Sequence, residues 1–215
     1  NNLTPTSNGV TVSGWTYTEH GSLGSAACSV TSNLLQITFQ NSNGSTYPQS
    51  FVRPTKETIH ADDSFDVWCK YESDFNDNTG YFGMWDATYL GSAPKNNAVR
   101  FFMVSDGTPA FVSHDSSGSA ITSQTGSPGD LSVDTPYFPR IKLSGNSLDC
   151  SVYSTQSDVI NETNAVWSAT TVDVTGETYA FDRFGFSNIL FNTLTATVKI
   201  YYMNGDCCNW YGKAA

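Results

Sequence analysis

Residues 65–71, FDVWCKY, alternate without a break. Phe65, Val67, Cys69 and Tyr71 fall on one side of an extended chain, and Asp66, Trp68 and Lys70 on the other. Successive side chains of a strand point to opposite faces, so this pattern demands a strand with one face turned to a core. The same period recurs. Leu35, Ile37 and Phe39 alternate with Gln36 and Thr38, and Val99, Phe101 and Met103 with Arg100, Phe102 and Val104. Leu148, Cys150 and Val152 alternate with Asp149, Ser151 and Tyr153, and Ala196, Val198, Ile200 and Tyr202 with Thr197, Lys199 and Tyr201. Weaker extended stretches lie near Val10, Phe51, Tyr81, Ala110, Val172 and Tyr179. No apolar repeat of helical period persists over three turns. The pattern predicts roughly a dozen strands and no helix.

Turn chemistry separates the strands. Ser144-Gly145-Asn146 stands between RIKL and SLDCSVY as a tight hairpin, and Asp106-Gly107 divides two more strands. Two longer connections, 118–134 and 154–169, read as loops and not as linkers, because strands continue on both sides. A chain of 215 residues with many evenly spaced short strands is expected to form one all-β domain over 1–215, a two-sheet antiparallel jelly-roll sandwich.

Charged residues make up only 14% of the chain, so Ser, Thr, Asn, Gly and Gln must carry the surface. That composition suits an extracellular, secreted or particle-surface protein. The formal net charge of −10 argues against a nucleic-acid partner and against an anionic membrane surface. There is no run of 18 apolar residues, so no membrane insertion is expected. The opening NNLTPTSNG reads as a mature or trimmed start. Sequons stand at Asn2, Asn43 and Asn161, and in a chain so rich in Asn, Ser and Thr chance explains them.

Five cysteines are present. Cys69 and Cys150 sit on the apolar faces of their strands and are expected to be buried free thiols. Cys28 and the Cys207-Cys208 pair fall in loop-like segments near the two ends. A bridge from Cys28 to Cys208 is the candidate disulfide in an oxidising compartment.

The stretch 137–167 resembles a recurring element of concanavalin A-like jelly rolls. There a strand bearing an Arg-Ile pair turns through Gly-Asn into a strand closing on Tyr-Ser, and a Trp follows a variable loop. Here those residues are Arg140, Ile141, Gly145, Asn146, Tyr153, Ser154 and Trp167. FDRFGFSN with TATVKIYYM resembles the last two strands of that superfold, and SNLLQITF an early one. The resemblance spans about residues 30–203 and implies a fold more than a function. The superfold hosts lectins, laminin-G-type and carbohydrate-binding modules, glycosidases, polysaccharide lyases and virion surface proteins.

Catalytic patterns are missing. Glycosidases need two carboxylates about 5–5.5 Å apart to retain configuration, or about 6.5–9.5 Å apart to invert it. The five glutamates, Glu19, Glu57, Glu72, Glu162 and Glu177, show no strand spacing that would pair them. The ExDxxE pattern of laminarinases is absent. So are the Arg-Glu-Leu-Arg and Gln-x-His strands of alginate lyases. His20, His60 and His114 stand near acids but in no metal-ligating spacing. Asp74, Asn76 and Asn78 place oxygen ligands at alternating positions, which makes calcium the candidate cofactor, although the same residues suit an Asn/Asp/Gly turn.

Sugars offer C–H faces to aromatic rings and hydroxyls to Asn, Asp and Gln. The candidates for that contact are the outward Trp68, Phe102 and Tyr153, and the loop set Trp85, Asp86 and Tyr89. The leading expectation is a non-catalytic, lectin-like domain with a glycan or polysaccharide partner. One alternative is a structural surface subunit of a virion or filament that associates with itself or with a larger particle. The other is a polysaccharide lyase or hydrolase.

Overall fold

A computed structural model describes residues 11–12, 15–19, 24–31, 34–41, 47–60, 64–73, 80–85, 98–104, 106–177, 180–190 and 195–205. Side chains are described at 64–72, 82–84, 98–104, 106–177, 181 and 185. In chain order the elements are β1 (Thr11–Val12), β2 (Trp15–Glu19), β3 (Gly24–Thr31), β4 (Leu34–Asn41), β5 (Tyr47–His60), β6 (Phe65–Ser73), β7 (Gly80–Trp85) and β8 (Ala98–Met103). They continue with β9 (Pro109–His114), β10 (Ala120–Thr125), β11 (Phe138–Ser144), β12 (Ser147–Tyr153) and α1 (Gln156–Asn161). The last are β13 (Trp167–Ser168), β14 (Val172–Asp173), β15 (Ala180–Leu190) and β16 (Thr195–Gly205).

The strands form two antiparallel sheets. Sheet A runs β1-β2-β5-β15-β7-β8-β9-β10, and sheet B runs β13-β12-β11-β6-β16-β4-β3 with β14 beside β12. Between them lies the core that the alternation predicts. Phe65, Val67, Cys69 and Tyr71 of β6 are buried, as are Val99, Phe101 and Met103 of β8 and Leu148, Cys150 and Val152 of β12. The sheets meet through edge-on aromatic pairs. The Tyr71 and Phe101 rings lie 6.3 Å apart at 84°, and those of Phe65 and Phe181 6.1 Å apart at 85°. The β11–β12 hairpin closes on Gly145-Asn146 with Ser144 opposite Ser147. Its positive φ falls on Gly145 (+58°), the first of two central positions, where a type II′ turn requires it.

Cys69 and Cys150 are buried free thiols, and burial pushes both well above the usual thiol range, which leaves them unreactive. Cys28 lies within β3 and not in a loop, opposite Ile37, which in turn faces Val198 of β16. Gly205 ends β16 seven residues beyond Val198, about 23 Å along the strand. Cys208, the other half of the candidate bridge, lies outside the described residues.

Both segments expected to be loops carry structure. The first holds β10, a polar edge strand. Its Gln124 side chain clamps the Thr170 backbone, donating from Nε2 to the carbonyl (2.8 Å) and accepting its N–H at Oε1 (2.6 Å). This clamp ties an edge of sheet A to the segment leaving β13 on sheet B. The second holds α1. Thr155 caps the helix by accepting the Asp158 N–H at 3.1 Å, and Glu162 ends it in the left-handed region.

Helix α1 lies on the outer face of sheet B, where Arg140 holds it. Nε of Arg140 donates to Asp66 Oδ1 at 2.7 Å, and Nη2 donates to Asp66 Oδ2. Nη1 donates to the Val159 carbonyl at 2.7 Å, and Nη2 lies 3.1 Å from Glu162 Oε1. Burial works against the Arg140 charge. The hydrogen bond and charge of Asp66 outweigh it and hold the guanidinium above its ordinary value. Glu162 also accepts from Lys142 Nζ at 2.8 Å. That bond, opposed by slight desolvation and aided by the Arg140 charge, holds its carboxyl below the ordinary value of 4.5.

A carboxylate with a lowered folded value stabilises the fold above its unfolded value and loses that contribution as pH falls through the folded one. Urea midpoints of the wild type should therefore exceed those of Glu162→Gln above about pH 4.5, and the two curves should converge on further acidification. A difference that did not change with pH would contradict the account.

Candidate functional site

The two outer faces of the sandwich differ. On sheet B the register stacks Trp68, Arg140 and Ser151 in one row, with Phe138 opposite Tyr153 in the next. Alternation correctly turns Trp68 and Tyr153 away from the core, but neither reaches solvent. Trp68 is 3% exposed and Tyr153 5%, and with Phe138 and Val159 they form a second, smaller core beneath α1. The Trp68 and Phe138 rings lie 6.1 Å apart, tilted at 56°. Both residues are therefore unavailable for stacking on a sugar. The cause is a cover supplied from far along the chain, which strand periodicity does not reveal.

On sheet A the outward positions of β8 and β9 are Ala98, Arg100, Phe102, Ala110, Val112 and His114. The inward Phe101 and Phe111 stand opposite one another between them. Arg100 is buried at 7% exposure, while Phe102 and His114 are half-buried. Arg100 stands opposite Gly83 of β7, and Gly83 opposite Gly185 of β15. That row carries no side chain beyond Arg100 on the two neighbouring strands. At Gly83 a Cβ would lie 2.1 Å from the Val99 carbonyl oxygen and 2.8 Å from the Arg100 Cα, so the close approach of β8 requires glycine. The register thus sets a buried guanidinium between the half-buried Phe102 ring and the half-buried His114 imidazole on one outer face.

Of the remaining sequence candidates, Trp85 ends β7, opposite Ala98 and Arg183. Asp86 and Tyr89 lie outside the described residues, as do Asp74, Asn76 and Asn78. The two sets leave β7 by opposite ends, which its six residues hold about 17 Å apart. They therefore do not start from one place. Among the described residues, no group of three His, Cys, Asp or Glu is placed to hold a metal ion. Arg100 and His114 were not singled out by the sequence as site residues. The usable signal was Arg100 in an outward position of a strongly apolar strand.

No protein-family model matches the chain, and no curated protein matches it in sequence. Solved structures do. The VIP36 exoplasmic/lumenal domain in a Ca2+/Man-bound form superposes with a TM-score of 0.53 at 11% identity, covering 99% of this chain and 91% of that one. The Emp46p carbohydrate recognition domain, in a metal-free form, gives 0.51 at 14% identity over 90% and 88%. The Emp47p carbohydrate recognition domain gives 0.50 at 13% identity over 95% and 92%. The chain has a two-sheet, concanavalin A-like jelly-roll fold, shared with these domains.

The placements separate structural from surface aromatics. Trp68→Ala should lower unfolding stability by about 3–5 kcal/mol, the usual cost of emptying a buried tryptophan site. Phe102→Ala, which removes a half-buried ring, should cost clearly less. Urea denaturation of both variants checks this, and a Trp68 variant as stable as the wild type would contradict the packing described.

Proposed function

We infer that this chain is a non-catalytic, lectin-like carbohydrate-binding domain that works outside the cytosol, at a cell surface or in an extracellular or lumenal space. The observation that carries the reading is the fold match. Almost the whole chain superposes on the Emp47p carbohydrate recognition domain and on the VIP36 domain in its Ca2+/Man-bound form. The missing carboxylate pair in the sequence and the low content of charged residues agree with it. So does the arginine, aromatic and imidazole set on the outer face of sheet A.

In this reading the half-buried Phe102 supplies a ring for the C–H face of a sugar, His114 supplies a polar contact, and the buried Arg100 supports them from beneath. Trp85, Asp86 and Tyr89 extend the same contact beyond the end of β7. Asp74, Asn76 and Asn78 form a calcium loop at the other end of that strand. The oxygen-rich donor set is the kind calcium prefers, and its role is to order the loop, with no part in chemistry.

A glycan array probed with the purified chain, with calcium and again with a chelator, tests the reading. Binding to at least one glycan class is expected. Phe102→Ala and Trp85→Ala should each weaken it about tenfold, the size of one aromatic stacking contact. Loss of binding in chelator would support the calcium loop. A wild-type chain that retains no glycan in either condition would overturn the assignment.

A further inference from the structure

We propose that Asn161 is an N-glycosylation site. Its sequon, Asn161-Glu162-Thr163, has no proline at the middle position. The structure adds what the motif alone lacks. Asn161 and Thr163 are both exposed. Asn161 is the last residue of α1, and the chain beyond it turns through left-handed conformations at Glu162 (φ +54°) and Asn164 (φ +54°). The sequon thus occupies a projecting turn, outside the hydrogen-bonded ladder of either sheet.

The acceptor is held only by exposed contacts within its own turn. Asn161 Nδ2 donates to the Ser157 carbonyl (2.9 Å) and lies 3.3 Å from Ser157 Oγ, both exposed contacts one turn back. Thr163 Oγ1 reaches Asp158 Oδ1 only at 3.4 Å. The side chain that anchors α1 is the buried Val159, so releasing the Asn161 amide disturbs no core contact. Two of the three large apolar side chains exposed among the described residues, Ile160 and Val166, belong to the same segment, where a sugar would give them an amphipathic neighbour.

The transfer is a substitution at an anomeric carbon. The donor is a lipid-diphosphate-linked oligosaccharide presented by a membrane transferase. Asn161 Nδ2 forms a bond to C1 of the first sugar as the bond from C1 to the diphosphate oxygen breaks. The lipid diphosphate leaves with the electron pair, and one Nδ2 proton passes to a base of the transferase. Helix α1 packs on β11 and β12 of sheet B. A glycan there sits on sheet B, the sheet that does not carry Arg100.

The test is expression of the full chain through the secretory route of a eukaryotic host, followed by peptide mass mapping with and without peptide N-glycosidase. The peptide containing Asn161 should carry a glycan mass that the glycosidase removes, leaving aspartate at that position. Thr163→Ser should keep the modification, and both Thr163→Val and Asn161→Gln should lose it. Secreted wild-type protein with a bare Asn161 peptide would overturn the proposal, as would a glycan confined to Asn2 or Asn43.

Discussion

The guanidinium of Arg140 is the interaction on which the arrangement of this sandwich turns. Sheet B alone would present Trp68, Phe138 and Tyr153 to water, an apolar surface no soluble domain leaves bare without a partner. A helix of only six residues covers it, and so short a helix has no stability of its own. Its seat comes from one buried side chain, Val159, and from Arg140, which binds Asp66 on β6, the Val159 carbonyl and Glu162 at once. A planar fork with five donors can hold both oxygens of Asp66 and still reach two further partners, a bidentate geometry that the single ammonium of a lysine does not offer. Because the charge is nearly buried, each partner is needed to offset its desolvation.

The cover closes one outer face of the sandwich, over β6, β11 and β12. On the outer face of sheet A, Arg100, Phe102 and His114 stand at neighbouring register positions, Arg100 buried and the other two half-buried. There the strands come close enough for Gly83 to be required, and the row beside Arg100 carries glycines in place of side chains. One face of the sandwich is thus covered by α1, and the other sets a buried cation beside a half-buried ring and imidazole.

Much of this was legible in the sequence, for definite reasons. The inward set on β6, β8 and β12 follows from period two, because burial between two sheets imposes that period directly. The Gly145 turn follows because only certain residues take a positive φ cheaply. What alternation cannot carry is the environment of the outer face. Trp68 points outward as read, yet its solvent is replaced by a segment that enters only after β12. Helix α1 stayed hidden because six residues with one buried side chain make no helical period. β10 stayed hidden because an edge strand of Ala, Ile, Thr, Ser and Gln with little burial has nothing to alternate. Cys28 looked like a loop residue in a run of small side chains, GSAACSVT, and the strand it occupies exists through pairing with β4.

The central claim is that Arg140 seats the cover as a unit separable from the sandwich beneath it. Site-resolved amide hydrogen exchange on the wild type and on Arg140→Met measures this most directly. The account predicts that the amides of Val159, Thr163 and Val166 lose protection in the variant, while those of β7 and β8 keep theirs. Unchanged protection at those three amides would contradict it, and so would an equal loss across both sheets.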